Sequence, residues 1–207
     1  MRVQIVDLKI NNIKSLVNSL KKIPNIEIFV CESAADCKTS SLTILPGVGK
    51  FGAASKPMFE LGFSDYLQKT FKAGDKILGI CLGMHLLGDS STESPQFQGL
   101  SLIPGSSKLL PSVVGERLPN IGWAGVVKAN TQIHFEALLA NKDFYFVHSY
   151  FFDTLSEQNI ICNSRYGEFL FPSVIQSNNA IGVQFHPEKS STVGNKLLFD
   201  ITKWANE

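Results

Sequence analysis

One cysteine of this sequence stands in a setting that suits nucleophilic chemistry. Cys81 is the central residue of GICLG at positions 79–83, after an apolar run and before a helical pattern. This G-x-nucleophile-x-G arrangement is typical of a strained strand-to-helix turn, in which a Cβ on either flanking residue would clash with neighbouring backbone. A helix N-terminus favours the thiolate, and the amide of Leu82 points to where an oxyanion would form. The motif indicates acyl transfer, although a buried structural cysteine in a tight turn is the alternative interpretation.

A histidine and a glutamate near the other end of the chain could complete this chemistry. His186 and Glu188 lie two residues apart in QFHPEKS at positions 184–190, where a β-type run ends. Residues two apart in an extended segment point to the same side. A cysteine nucleophile needs a base, and the base needs an acceptor that orients it. Alone, such a histidine is more often structural, but together with Cys81 the pair predicts a Cys-His-Glu triad.

The first half of the chain, which must position Cys81, alternates between β-type and helical patterns. The strand candidates are residues 3–6, 26–30, 42–45 and 76–80, and the helix candidates are 13–23, 57–71 and the run after residue 81. We expect Pro46 and Gly47 to end the third strand, because proline lacks an amide donor and glycine favours a turn. The alternation predicts a parallel sheet covered by helices on both faces.

The second half, which must position His186 and Glu188, has a different pattern. Its short strand candidates are residues 144–147, 160–162, 174–176 and 180–185, followed by a final helix at about 194–204. Turn residues separate these runs, so this half is predicted to be mostly β. The sequence has no internal repeat, low-complexity tract or linker. We therefore expect one domain that spans residues 1–207.

Composition excludes several classes of function. The chain has 207 residues, enough for one sizeable core, and its net charge of +1 without charge blocks predicts no binding to nucleic acid. No apolar run approaches the roughly 18 residues that span a bilayer, and the first residues lack the apolar stretch of a signal peptide. We therefore expect no membrane association and a cytoplasmic location.

The cysteines and the charged residues add two expectations. The four cysteines form no CxxC pair or zinc pattern, and the sequence has no GxGxxG or P-loop, so free thiols and no metal or cofactor are expected. Charged residues make up 18% of the chain, below the typical value of about 25%. Because interface cores are depleted in charge, this shortage indicates a face that binds a partner protein.

Four segments together resemble the class I glutamine amidotransferases. They are LPGVG at 45–49, GICLGM at 79–84, FVHSY at 146–150 and QFHPEKS at 184–190. Within that family they are most similar to the HisH branch, the glutaminase subunits of imidazole glycerol phosphate synthase. The resemblance covers nearly the whole chain. It implies a three-layer, flavodoxin-like α/β fold with a mixed, mainly parallel central sheet and extra β strands in the second half.

The resemblance also implies a reaction. Cys81 would attack the side-chain amide of L-glutamine, giving a glutamyl thioester and ammonia, and water would then release glutamate. His186 would protonate the departing ammonia and activate the water, while Glu188 holds the imidazole. An oxyanion hole would form from the amides of Val48 and Leu82 after the peptide between residues 47 and 48 reorients.

Further residues correspond to substrate contacts of the family. Glu93 matches an acid that receives the amino group of glutamine, and the Ser149–Tyr150 backbone matches the part that receives its α-carboxylate. Without the resemblance, Glu93 would be interpreted as solvated surface. The complete set of expected substrate-binding residues is Gly47, Gly49, His85, Glu93, Ser149 and Tyr150.

The sequence departs from the family pattern at three places. His85 stands where the family usually has glutamine; it has a different reach and could be charged, which puts the affinity for glutamine in doubt. The loop at 7–12 lacks the family's glycines, and the segment at 119–124 lacks its histidine and its final asparagine. In the family both segments lie at the partner interface. The expected interface residues are Asn12, Asn120, Trp123 and His148, the last of these mainly structural.

Several functions remain open at this point. The leading hypothesis is a glutaminase subunit of histidine biosynthesis that passes ammonia to a cyclase partner, a HisF-like barrel. A HisH-like paralog would instead supply a sugar-modifying synthase that makes cell-surface sugars. A catalytically weak scaffolding subunit is a third hypothesis, and a cysteine peptidase or γ-glutamyl hydrolase that acts without a partner is a fourth.

Overall fold

A computed structural model describes residues 1–10, 13–129, 135 and 142–207 of the chain. The first-half elements are β1 (Arg2–Val6), α1 (Lys14–Leu20), β2 (Glu27–Cys31), β3 (Leu42–Gly47), α2 (Phe51–Glu60), α3 (Phe63–Ala73), β4 (Lys76–Cys81), α4 (Leu82–Leu86) and β5 (Ser90–Ser91). The second-half elements are β6 (Gly105–Leu109), β7 (Asn120–Lys128), β8 (Lys142–His148), β9 (Tyr150–Thr154), β10 (Ile160–Tyr166), β11 (Phe169–Ser177), β12 (Ala180–Val183) and α5 (Ser191–Trp204).

The described strands form a large mixed sheet and a small second sheet. The large sheet has nine strands in the order β2-β1-β3-β4-β12-β11-β10-β7-β8. Neighbours from β2 to β12 are parallel, and neighbours from β12 to β8 are antiparallel, so only β11 and β7 run against the other seven. The small sheet has the order β5-β6-β9. The predicted mixed, mainly parallel sheet with extra strands in the second half is confirmed.

Helices cover both faces of the large sheet because its central strands are apolar on both sides. On β3, Leu42 and Ile44 pack in one core cluster with residues of α1 and α5. Leu45, on the other face of the same strand, packs in a second cluster with residues of α2, α3 and α4. A strand that is buried on both faces in this way is typical of a parallel sheet between two layers of helices. The three-layer α/β prediction is therefore confirmed.

Two sequence predictions about element boundaries are wrong. β3 does not stop before Pro46, since Pro46 and Gly47 still pair with β4. β1 pairs with β3 only as far as Ile44. At Pro46 the strand β3 therefore has no β1 residue opposite it, and the missing amide donor of proline is tolerated there. The single helix predicted at 57–71 is two helices, α2 and α3, because Gly62 at φ +75° breaks the chain direction between them.

Three strands of the second half were not predicted from the sequence, namely β6, β7 and β9. Each of them pairs with a strand that is distant in sequence or is only partly apolar. No helix among the described residues is long and apolar enough to cross a membrane.

Candidate active site

Cys81 lies at a sharp turn between β4 and α4, in a backbone conformation that few residues adopt. Its φ is +54°, the left-handed region, and α4 begins at the next residue. The flanking residues must be glycines because a side chain at either position would clash with nearby backbone. A Cβ at residue 79 would lie 2.6 Å from the carbonyl oxygen of Gly83, and one at residue 83 would lie 1.7 Å from that of Leu45. The predicted elbow is thus present, and strain of this kind is typical of functional sites.

His186 is held next to Cys81 by contacts from two neighbouring elements. Its Nδ1 is 2.7 Å from Oε1 of Glu188, and its backbone amide donates to the carbonyl of Tyr145 on β8 at 2.9 Å. Ser190 locks the same segment, since its hydroxyl donates to the carbonyl of His186 and accepts from the amide of Tyr145. Ser190 is fully buried, and sequence reasoning did not single it out.

The charge state of His186 is set by a competition between burial and its neighbours. Burial of the ring lowers the pKa, but attraction and hydrogen bonding to Cys81 and to Glu188 outweigh it and raise the pKa to about 10. The ring therefore carries its proton at neutral pH. A protonated imidazole between a thiol and a carboxylate can serve as a general acid.

A cavity of about 410 Å³, here called the front cavity, opens at Cys81. Its size is within the range of small-molecule sites. It brings together nine of the residues selected from the sequence, which are Val48, Gly49, Cys81, Leu82, His85, Glu93, His148, Ser149 and Tyr150. A second, rear cavity of about 260 Å³ is lined by Gly47, Val48, His186 and Glu188, together with Lys189. Cys81 thus faces one cavity while its two triad partners face the other.

Glu93 lies in the wall of the front cavity and is not free surface. One carboxylate oxygen accepts from the amide of Phe51 at 2.7 Å, which places the carboxylate at the start of α2. Tyr150 lies in the same wall, and its pKa is raised, first by burial and then by the negative charge of Glu93. A carboxylate fixed in this position is suited to bind an ammonium group of a ligand.

His85 is part of a buried hydrogen-bonded chain that leads to Cys81. Its Nε2 is 2.8 Å from Oε1 of Gln184, and Nε2 of Gln184 donates to the Cys81 sulfur at 3.9 Å. Burial lowers the pKa of His85 to about 4, more than the bond to Gln184 raises it. The ring is therefore neutral at physiological pH, and the expectation that it could be charged is wrong. Gln184 begins the QFHPEKS motif, but sequence reasoning considered only the histidine and the glutamate there.

His148 also lines the front cavity, and both of its ring nitrogens form hydrogen bonds within the protein. Its Nδ1 donates to the carbonyl of Tyr150 at 2.9 Å, and its Nε2 accepts from the side-chain amide of Asn120 at 3.1 Å. Burial lowers the pKa of His148 to about 3 with a smaller contribution from the nearby histidines, although the hydrogen bond to the Tyr150 carbonyl opposes the shift. A neutral ring with no free nitrogen is suited to a structural role.

The strand β7, which begins next to the front cavity, has three apolar side chains that are exposed to solvent. Ile121, Trp123 and Val127 are 60%, 54% and 53% exposed, and Pro119, just before the strand, lines the cavity. The Trp123 ring makes a T-shaped contact with the Tyr145 ring, and the two centroids are 6.1 Å apart. Among the residues that were expected at an interface, Asn12 lies outside the described residues. Within the part of the chain that is described, no group of three or more His, Cys, Asp or Glu is placed to bind a metal ion.

Comparisons with known proteins give a consistent result. The family model described as "Glutamine amidotransferase class-I" matches residues 4–204. The chain is 38% identical over 196 residues to imidazole glycerol phosphate synthase subunit HisH of Oceanobacillus iheyensis, covering 95% of this chain and 96% of that protein. It is 35% identical over 211 residues to the subunit of the same name from Bacillus subtilis, covering 98% and 96%.

Solved structures agree with these relatives at the level of the fold. A crystal structure described as a glutamine amidotransferase superposes with a TM-score of 0.77 at 19% identity and covers 99% of both chains. PurLQS from Thermotoga maritima gives a TM-score of 0.71, also at 19% identity, and covers 98% of both chains. At such low identity these structures support the fold alone.

Proposed function

Because the chain belongs to the class I glutamine amidotransferase family, we propose that it is the glutaminase subunit of an imidazole glycerol phosphate synthase in histidine biosynthesis. It hydrolyses L-glutamine to glutamate and ammonia. The HisH relatives, at 34–38% identity over nearly the full chain, support the assignment to this branch. The observation that carries the chemistry is Cys81 on its strained turn beside a protonated His186 that Glu188 orients.

In the first half of the proposed reaction, Cys81 forms a covalent bond to the substrate. With the proton held on His186, the Cys81 sulfur attacks the side-chain carbonyl carbon of glutamine as a thiolate, and the negative charge moves to the carbonyl oxygen. His186 then gives its proton to the departing nitrogen, so that neutral ammonia leaves and a thioester remains. Glu188 fixes the ring through Nδ1, which leaves Nε2 for this transfer.

In the second half, water replaces ammonia at the same carbon. The ring of His186, which has lost its proton, removes a proton from the water as the oxygen attacks the thioester. Glutamate leaves, the Cys81 thiolate and the protonated ring of His186 are regenerated, and the overall reaction is glutamine plus water giving glutamate plus ammonia. The hydrogen bonds from His85 to Gln184 and from the Gln184 amide to the Cys81 sulfur hold the sulfur in place in both halves of the reaction.

The front cavity provides the proposed substrate contacts. The amide of Leu82, at the first residue of α4, and that of Val48 form the oxyanion hole. Glu93 binds the amino group of glutamine, the Ser149–Tyr150 backbone binds its α-carboxylate, and Gly47 and Gly49 shape the turn on either side of Val48. Gly49 has a φ of +101°, which allows the peptide before it to turn. His85 contacts the substrate as a neutral ring.

The ammonia is passed to a cyclase subunit that docks on the exposed side of β7. The three exposed apolar residues there, on a strand that begins next to the front cavity, are the kind of surface that a partner covers. Asn120, Trp123 and His148 form or support this face, with Asn12 as a further proposed member. A docked partner keeps the ammonia out of bulk water, where it would be protonated.

The chain works as a single domain over residues 1–207, since one sheet contains strands from both halves. The proposed location is the cytoplasm. All four cysteines are free thiols, which fits a reducing compartment.

The test is glutamate release by the complex of this chain with a cyclase subunit. We expect turnover of glutamine, and a loss of about 10³-fold or more in Cys81→Ala. Cys162→Ala, which removes a buried thiol outside both cavities, is the matched control and should keep the activity. Absence of glutamate release with the cyclase would contradict the proposal. Activity only with a sugar-modifying synthase would overturn the histidine pathway but keep the glutaminase.

A further inference from the structure

The histidine of the triad lies outside the large sheet and is attached to a strand that is remote from it in the strand order. β12 ends at Val183, and His186 follows just before a 3₁₀ turn at Pro187–Lys189. The His186 amide donates to the carbonyl of Tyr145 on β8 at 2.9 Å. β8 is the outermost described strand at its end of the sheet, and three strands separate it from β12. The position of His186 therefore depends on how its segment is fastened to β8.

A single hydroxyl completes this attachment. Oγ of Ser190 accepts from the amide of Tyr145 at 3.0 Å and donates to the carbonyl of His186 at 2.6 Å. In an antiparallel ladder the amide and the carbonyl of one residue point to the same side, so both groups of Tyr145 face away from Trp123, its neighbour on β7. His186 and Ser190 thus bind the free edge of β8, where the hydroxyl serves as the acceptor that a further strand would supply.

Ser190 makes these bonds instead of capping the helix that follows it. It is the N-cap residue of α5, and serine is among the most favourable N-cap residues because its oxygen can accept from the first amides of a helix. Here the hydroxyl makes no such bond, although the whole first turn of α5 is described. Ser190 is also fully buried. The helix therefore lacks a stabilising cap, and the hydroxyl is committed to the segment that carries His186.

The turn after His186 leaves little room for this segment to shift. The Ser190 amide donates to the carbonyl of Pro187 at 3.0 Å, which closes the turn through the backbone as well as through the hydroxyl. α5 packs closely on the same turn, since a Cβ at Gly194 would lie 1.9 Å from the Pro187 oxygen. A displacement of Ser190 would therefore move His186 relative to Cys81.

We propose that Ser190 is a positioning residue, which holds the His186 ring within reach of the Cys81 sulfur by fastening the His186 backbone to β8. The inference rests on the proposed glutaminase reaction, in which this ring makes both proton transfers. A misplacement of about 1 Å can slow a reaction about 10²-fold, even where the changed residue does not touch the substrate. Ser190 lines neither the front nor the rear cavity, so its removal should slow the chemical steps and leave glutamine binding unchanged.

The test compares Ser190→Ala with Ser164→Ala in the complex with saturating cyclase subunit. Ser164 is the matched control, because it is equally buried, its hydroxyl donates to the Gly125 carbonyl at 2.9 Å, and it lines neither cavity. In Ser190→Ala we expect kcat for glutamate release to fall about 10- to 100-fold, with KM within about twofold of the wild type. Ser164→Ala should keep both constants. Equal losses of kcat in the two variants, or none in Ser190→Ala, would overturn the proposal.

The pH profile separates positioning from a general loss of stability. Attraction and hydrogen bonding to Cys81 raise the pKa of His186, so a ring that moves away from the sulfur should lose its proton at a lower pH. The alkaline limb of kcat/KM should therefore move toward neutrality in Ser190→Ala and stay in place in Ser164→Ala. An alkaline limb that does not move in Ser190→Ala would contradict the positioning role.

Alkylation of Cys81 by iodoacetamide in the isolated chain makes the test independent of glutamine turnover. A nearby imidazolium favours the reactive thiolate, so the labelling rate at neutral pH should fall about tenfold in Ser190→Ala and not in Ser164→Ala. This result in a protein whose complex releases no glutamate would contradict the glutaminase and support the positioning role, whereas equal rates would overturn the positioning role. If circular dichroism shows that Ser190→Ala does not fold, Ser190→Cys, whose thiol forms weaker hydrogen bonds, is judged by the same criteria.

Discussion

The histidines of the two cavities are buried alike but carry opposite charge states. His186 of the rear cavity is 1% exposed, and His85 and His148 of the front cavity are 5% and 6% exposed. Burial lowers the pKa of all three rings, yet only that of His186 ends above its usual value. The difference lies in the partners. His186 has a carboxylate and a thiol, whereas the other two rings have a neutral amide or a carbonyl.

This comparison distinguishes the acid of the reaction from the residues that shape its site. A ring that keeps its proton at neutral pH can protonate a leaving group, and a neutral ring can orient one by hydrogen bonds. The sequence motifs assign different roles to these histidines but do not fix their charge states, and the expectation that His85 could be charged came from its residue type alone. The charged neighbours decide which of them takes part in proton transfer.

The largest effect is expected from removing the proton donor. His186→Asn should lower glutamate release by the complex about 10³-fold or more, because both proton transfers depend on this ring. His148→Asn should cost far less, since both nitrogens of that ring are already used in structural hydrogen bonds. The measurement is kcat/KM with glutamine, with circular dichroism of both variants to confirm folding. Similar losses in the two variants would remove the distinction between the cavities.

A smaller effect is expected from removing the carboxylate that orients His186. Glu188→Gln should lower glutamate release about 10²-fold, because the ring is no longer fixed. Glu188 raises the pKa of His186, so in the variant the His186 ring should lose its proton at a lower pH than in the wild type. We therefore expect the alkaline limb of the pH profile of kcat/KM to move toward neutrality. An alkaline limb that stays in place would show that Glu188 does not control the charge of His186.

The neutral state of His85 predicts sensitivity to acid. Its pKa is about 4 in the folded protein and about 6.5 in the unfolded chain, so between these values the unfolded chain binds more protons. The free energy of unfolding should therefore fall as the pH drops from 6.5 to 4, by up to about 3 kcal/mol from this residue. His85→Gln should remove that part of the loss. Urea denaturation of both proteins across this range gives the difference, and parallel curves would contradict a neutral, buried His85.

The smallest effect is expected at the exposed face of β7. Trp123→Ala should weaken the complex with the cyclase about tenfold, because exposed aromatic residues often dominate a binding interface. The free energy of unfolding of the isolated chain should change by less than about 1 kcal/mol, since the ring is more than half exposed. Val30→Ala is the matched control, an exposed apolar residue on β2 at the opposite edge of the sheet. Equal affinities of the two variants, measured by titration calorimetry, would move the interface elsewhere.

The parts of the fold that could be predicted are those whose signal is local. The strands β1, β3 and β4 are largely apolar runs because both of their faces are buried, and the elbow at Cys81 is specified by its own flanking glycines. β7 escaped prediction because Ile121 and Trp123 face solvent and two glycines interrupt it, so its pattern matches neither a buried strand nor a regular alternation.

The candidate site shows the same division. Its triad residues stand in short motifs, but His186 and Glu188 meet across a 3₁₀ turn at Pro187–Lys189 and not along the extended segment that was predicted. The hydrogen-bonded chain from His85 through Gln184 to Cys81 joins residues about 100 positions apart in the sequence. No local pattern indicates that Gln184 points toward the sulfur, or that His85 is buried deeply enough to lose its charge. Those properties depend on β4 and β12 being neighbours in the sheet.

The central claim is that Cys81, alone among the four cysteines, is the nucleophile for glutamine. The most direct measurement is the site of labelling by a chloroketone analogue of glutamine, read by peptide mass spectrometry on the complex. We predict one label, on Cys81, which forms more slowly in His186→Asn and is prevented by excess glutamine. Equal labelling of Cys31, Cys37, Cys81 and Cys162 in the folded protein would contradict the claim.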